Sequence, residues 1–168
     1  MGYVHDTAMS QYIPPTLWHF VTGTFTHAAG AVAGTIAINR AAANETSVVT
    51  IPIKLVSNSA AAKGALLKSI EVDYEIFTAE PTSITWTLNK VTRGADTAVA
   101  SVAAQTKTNT LSDANAKTVE QHKQTITVIT PFWLDNDEYA LLQMSIVAGA
   151  GGNTTKFLAA VANFTLRF

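Results

Sequence analysis

The stretch Lys68-Ser-Ile-Glu-Val-Asp-Tyr-Glu-Ile-Phe-Thr78 alternates its side chains with a period of two. Ile70, Val72, Tyr74 and Ile76 fall on one side; Ser69, Glu71, Asp73 and Glu75 fall on the other. Successive side chains of a strand point to opposite faces, so the pattern predicts a strand with one face buried and one wet. A helix would keep Ile70 beside Tyr74 but send Val72 and Ile76 to the far side.

The same reading extends outward. Glu80-Pro81 marks a turn, and Thr82–Val91 resumes the pattern with Ile84, Trp86 and Leu88 against Ser83, Thr85, Thr87 and Asn89. Arg93-Gly94-Ala95-Asp96 is a further turn signal. Gln121–Pro131 sets Ile126 and Val128 opposite Thr125 and Thr127. Tyr139–Val147 sets Leu142, Met144 and Ile146 opposite Gln143 and Ser145. Lys156–Phe168 places Leu158, Ala160, Ala162, Phe164, Leu166 and Phe168 on one side. Toward the N-terminus, Ser47–Val56 gathers Val49, Ile51, Ile53 and Leu55 on one face, with Pro52 and Lys54 on the other. A proline cannot donate to a ladder, so Pro52 predicts an edge strand or a bulge. Ala31–Asn39 alternates Val32, Gly34, Ile36 and Ile38, and Leu17–Thr26 is strand-like without a clear period. Ala98–Gln105 fits a strand or a short helix, and Thr106–Lys117 is polar and loop-like.

Eight or nine strands, each with one apolar face, predict an all-β fold: an antiparallel two-sheet sandwich, jelly-roll-like. Its expected core contains Val49, Ile51, Ile70, Val72, Ile84, Trp86, Ile126, Val128, Met144 and Phe164. Residues 1–16, closed by Pro14-Pro15, read as an N-terminal arm, and residues 17–168 as a single sandwich domain. Tyr12, Ile13, Leu17 and Trp18 are the apolar contacts with which such an arm would anchor on a neighbouring subunit.

Composition narrows the function. Charged residues are 14% of the chain, against roughly a quarter in most soluble domains. So few charges suggest a surface partly covered by other subunits. The net charge is −1 and no basic stripe occurs, so no nucleic-acid partner is expected. No apolar run approaches the roughly 20 residues that span a bilayer, so no membrane partner is expected. The chain has no cysteine. Met1-Gly-Tyr-Val-His-Asp6 lacks the charged start and apolar stretch of a secretory signal. With Met1 as the native start, assembly inside a cell is expected.

Groups that could carry chemistry are sparse. Glu71, Asp73 and Glu75 share a strand face and could serve as an acid–base pair on a sugar. The simpler reading is an outer face neutralised by lysines across the sheet. Asp135-Asn136-Asp137-Glu138 offers oxygen ligands of the kind calcium takes, and equally the Asx residues that turns favour. His5, His19, His27 and His122 form no short ligand motif. No serine lies in a Gly-x-Ser-x-Gly elbow, and no glycine loop suits a phosphate. Asn44, Asn153 and Asn163 head Asn-x-Thr sequons, close to chance for this composition. Trp18, Phe20, Phe132 and Trp133 are core candidates that could instead stack on sugars or anchor an interface. We therefore expect no catalytic residue, no cofactor and no metal.

Lys68–Ile76, the run Pro131-Phe-Trp-Leu-Asp-Asn-Asp-Glu-Tyr139 and the closing Ala162-Asn-Phe-Thr-Leu-Arg-Phe168 resemble small β-sandwich structural proteins of tailed bacteriophage particles, the capsid decoration and head-fibre class. The resemblance covers residues 68–168. It implies a symmetric homo-oligomer on a virion, assembled in the host cytoplasm, with the major capsid protein or other particle subunits as partners. It transfers no catalytic residue. The closing alternation that ends in an aromatic also resembles pilin-type filament subunits, whose cysteine pair this chain lacks. A carbohydrate-binding β-sandwich module is the other alternative.

Overall fold

A computed structural model describes residues 5–29, 36–42, 44–54, 64–94, 99–149 and 153–167; for 27–29 and 36–42 it describes the main chain alone. Twelve strands appear among the described residues: β1 (Asp6–Ile13), β2 (His19–Thr22), β3 (Phe25–Ala29), β4 (Ile36–Ala42), β5 (Thr46–Ile53), β6 (Ala65–Phe77), β7 (Ser83–Thr92), β8 (Ser101–Ala104), β9 (Lys107–Asn109), β10 (Gln121–Leu134), β11 (Glu138–Val147) and β12 (Asn153–Arg167). A single 3₁₀ turn covers Pro15–Leu17, and a one-turn helix, α1, covers Asp113–Ala116.

The strands form two antiparallel sheets. The larger runs β3-β4-β12-β6-β10-β9, with β1 also paired to β12; the smaller runs β2-β5-β11-β7-β8. The connections β5 to β6, β6 to β7, β10 to β11 and β11 to β12 each carry the chain from one sheet to the other. Apolar faces of both sheets meet in one core, and all ten residues expected there are buried.

Twelve strands, rather than eight or nine, arise from three places. Leu17–Thr26 splits into β2 and β3 around Gly23, whose φ of +109° bends the chain. A Cβ there would lie 2.6 Å from Glu45 Oε1 and 2.7 Å from the Ser47 Cβ. The stretch Ala98–Gln105 resolves to a strand, β8, within 101–104, and the polar stretch after it contains β9 and α1. Residues 5–16, expected as an arm, contain β1, which pairs in register with its own chain's β12 from Asp6↔Arg167 to Ile13↔Ala160. Residues 1–4, 31–35, 55, 56, 95, 96, 98 and 168, which the expected arm, strands and turns included, lie outside the described residues.

Two departures from simple alternation bear on the sequence reading. In β12 the register with β6 slips between Phe157 and Ala159. Before the slip Asn153, Thr155 and Phe157 are buried; after it Ala160, Ala162 and Phe164 are. This bulge moves Leu158 off the core face and puts Phe157 on it, correcting the expected facing of Leu158. Pro52, expected at an edge or bulge, lies in β5 between β2 and β11. Ala148 N–H donates to Glu45 O at 3.0 Å, which sets the ladder phase. In that phase the nitrogen of position 52 faces away from β11, toward the side where β2 has already ended at His19↔Thr50. Pro52 is therefore an edge residue locally, inside an interior strand.

α1 closes one end of the sandwich. Ser112 Oγ accepts from Asn115 N–H at 3.3 Å as its N-cap. Ala116 is buried, and its carbonyl accepts from the Tyr74 hydroxyl at 2.7 Å. Asp113 Oδ1 accepts from Ile84 N–H at 3.1 Å.

Candidate functional site

The corner that joins the two sheets at Pro14-Pro15 is the most distinctive surface. β1 delivers Ile13 into the core. The two prolines then fix φ, and the 3₁₀ turn closes with Leu17 N–H on Pro14 O at 3.0 Å and Trp18 N–H on Pro15 O at 3.1 Å. Trp18 Nε1–H donates back to Ile13 O at 3.2 Å. The Trp18 ring meets Phe157 edge-on, centroids 5.8 Å apart. Phe20 and Phe25 complete the cluster around Phe157 at 5.8 and 6.1 Å.

This corner divides the four residues expected at an interface. Ile13 and Trp18 are 3% and 4% exposed and belong to the core of their own chain, a correction to their reading as contacts for a neighbour. Tyr12 and Leu17 are 61% and 59% exposed, and Val21 of β2 stands 59% exposed beyond them. The alternation of β1 sends Ile13 inward and Tyr12 outward, and the short turn leaves Leu17 outside.

Tyr12 and Leu17 border a cleft of about 490 Å³, with Ile13, Trp18 and Pro52 also in its lining. Gln11, His19 and Lys54 add polar groups. Gln11 Nε2 donates to Lys54 O at 3.1 Å, while its Oε1 is buried without a partner among the described residues. Sequence reasoning found Tyr12 and Leu17 but missed Gln11, which carries no pattern of its own.

The acidic stripe is a neutralised outer face. Glu71 pairs with Lys123 and also accepts from Asn163 Nδ2 at 3.2 Å. Glu75 pairs with Lys156 at 3.0 Å. The bond from Lys123, more than any other cause, holds the Glu71 carboxyl below its ordinary 4.5. Burial pushes the Asp73 carboxyl up, outweighing the attraction of Lys123. The two effects have opposite signs in pH. The Glu71 pairing contributes fully above its unfolded value and is lost as pH falls through its lowered folded value. Ionised Asp73 costs stability at neutral pH, and the cost disappears as pH falls through its raised folded value. Asp73→Asn is therefore expected to raise stability at pH 7 and Glu71→Gln to lower it, each by under about 1 kcal/mol on this partly exposed face. Both differences should vanish in acid. Urea unfolding at a series of pH values checks this; an Asp73→Asn gain that persists in acid would contradict it.

The other candidates are occupied by structural contacts. In the turn after β10, Glu138 takes Lys90 at 2.7 Å, the Thr92 hydroxyl at 3.2 Å and the Asp135 amide at 3.1 Å. Burial alone would raise its carboxyl, and these donors outweigh it and hold the carboxyl below the ordinary value. Among the described residues no three of His, Asp and Glu gather to hold a metal ion. His122 is buried, with Nε2 2.8 Å from Thr118 O and its ring 5.1 Å from Tyr74. His5 and His19 are exposed, and the His27 side chain lies outside the description. Of the sequon asparagines, Asn153 is buried and Asn163 is bonded to Ser10, Ser69 and Glu71; Asn44 is exposed.

No family model matches the chain, and no curated protein matches it.

Proposed function

We propose that this chain is a non-enzymatic structural subunit of a virion, a capsid decoration protein built on a jelly roll and docking through its proline corner. The jelly-roll reading is supported by strand order. Set aside β1, β2, β3 and β9, and number the remaining eight strands along the chain. They pair 1-8-3-6 in the larger sheet and 2-7-4-5 in the smaller, the double Greek-key order of a jelly roll. Capsid proteins and lectins both use that fold, so the fold by itself does not choose between them.

The corner carries the choice. Tyr12 and Leu17 stand exposed on the rim of one cleft, beside a turn that Ile13 and Trp18 already fix to the core. A rim ordered before contact loses little freedom on docking, which favours association. The homo-oligomer and the major capsid protein remain the expected partners, and docking needs no exchange of β1 between subunits. The test is binding of the purified chain to particles that lack it, with Tyr12→Ser/Leu17→Ser as the variant. Wild type should bind and the variant should lose binding by at least about tenfold, a 1.4 kcal/mol effect, with an unchanged circular dichroism spectrum. Equal binding by both would sink the corner as the docking site.

A second reading is favoured by the cleft. An exposed tyrosine ring beside Gln11, His19 and Lys54 is also what a sugar-binding site offers. A glycan array giving a specific signal that Tyr12→Ala abolishes would replace the assembly reading with this one.

A further inference from the structure

On the flank away from the proline corner, the smaller sheet ends at β8, which has β7 on one side and, among the described residues, no strand on the other. All four β8 residues are exposed. Val99 is 91% exposed and Val102 64%. From Thr97 to Thr106 the sequence carries no charge. Ile129, 59% exposed, joins this surface, for its N–H donates to Thr106 O at 3.1 Å where the chain leaves β8 for β9. The larger sheet ends beside it at β9. Lys107 there is turned onto Asn109 Oδ1 at 2.9 Å, within β9 itself.

Free sheet edges are ordinarily blunted by charge, proline or a bulge, because an open row of amides and carbonyls templates another strand. β8 has no charge, no proline and no register shift against β7. We propose that this flank is a homotypic interface, in which β8 pairs with β8 of a second copy across a two-fold axis. The occupant follows from charge and direction. Ala100–Ala104 offers no charged side chain for a cross-strand ion pair, so an uncharged, small-residue strand is the partner that matches it. β8 of a second copy meets that condition by identity. A two-fold axis makes the pair antiparallel and self-complementary, the more stable geometry. The other end of the same sheet, β2, lies four antiparallel steps away and so runs parallel to β8. Continuing the sheet from β8 into β2 of a copy translated along it would give the weaker parallel ladder.

The contact is small. A four-residue strand across one sandwich measures about 14 by 10 Å, below the roughly 1,200 Å² class of stable complexes. Pairing is therefore weak and concentration-dependent in free solution. This inference does not depend on the proline corner, which lies on other strands, and the test separates them. Sedimentation equilibrium of the full chain is run from micromolar to millimolar concentration. The samples are wild type, Val102→Lys, Val99→Lys and Tyr12→Ser/Leu17→Ser. Wild type and the corner variant should move toward dimer mass together. Both lysine variants should stay monomeric, at least about tenfold weaker in association. Val99 precedes β8, so Val99→Lys keeps the test sound where Val102→Lys disturbs folding. A wild type that stays monomeric throughout, or folded lysine variants that dimerise like wild type, would overturn the proposal. Loss of dimer in the corner variant alone would move the interface to the corner.

Discussion

Replacing Phe157 with alanine should cost about 3–5 kcal/mol of stability, the range for an aromatic removed from a packed core. In a domain of this size that is a fall in Tm of roughly 10 °C. Phe157 is fully buried and its ring is the hub on which Trp18, Phe20 and Phe25 converge. Its loss would loosen β12, β2, β3 and the proline corner together. Leu158→Ala is the matched control, because the bulge leaves Leu158 only partly buried. Its expected cost is under about 1.5 kcal/mol, since little apolar area leaves the core. Strict alternation along β12 would reverse this order. Thermal unfolding of both variants decides, and a larger loss for Leu158→Ala would remove the bulge from the account.

Gln124→Met should act in the opposite direction and stabilise the protein by about 1–3 kcal/mol. Gln124 is fully buried on the core face of β10, and among the described residues neither its Oε1 nor its Nε2 has a hydrogen-bond partner. It sits opposite Val72, two pairs along from His122 and Tyr74. The Tyr74 ring in turn lies 6.0 Å from that of Trp86, whose Nε1–H is also buried without a partner among the described residues. An amide desolvated without a bond is a standing cost, and methionine fills the same volume without it. Chemical denaturation measures the change. A loss of stability in Gln124→Met would mean that the amide is satisfied in the folded protein, and a bound water in a high-resolution structure would then identify its partner.

The residues explain which parts of this fold are legible before any coordinates exist. β6, β7 and β11 lie inside their sheets with one face on the core, so a period of two runs through Ile70–Ile76 of β6, Ile84–Leu88 of β7 and Ala140–Ile146 of β11. β12 breaks that period at Leu158, and nothing local there announces it, since the slip is defined by the register with β6. β1 has no apolar face to read. Its conformation comes from the backbone of β12, on average some 150 residues away in sequence. The proline corner is legible as a stop, yet the split between Trp18 inside and Leu17 outside depends on Phe157, which reaches the site through tertiary structure. Gln124 occupies a position where the alternation demands an apolar residue, so pattern alone gives no warning that an amide is buried there. The β8 flank was readable only as a strand or a helix, because Ala and Val in short runs satisfy both periods.

β12 is bonded to β1, β4 and β6 at once. A ribosome delivers it after all three, so during synthesis each of those strands waits with one side open until β12 emerges. Ladders closed across such sequence distances fold slowly, because a long loop must be ordered before any contact forms. β1 waits longest, and its exposed amides are a ready template for another nascent chain during that interval. The same topology gives the finished subunit a late, cooperative closing step. Once β12 has locked, opening any one of its three partners means loosening a strand that the other two also hold, which favours slow unfolding over local fraying.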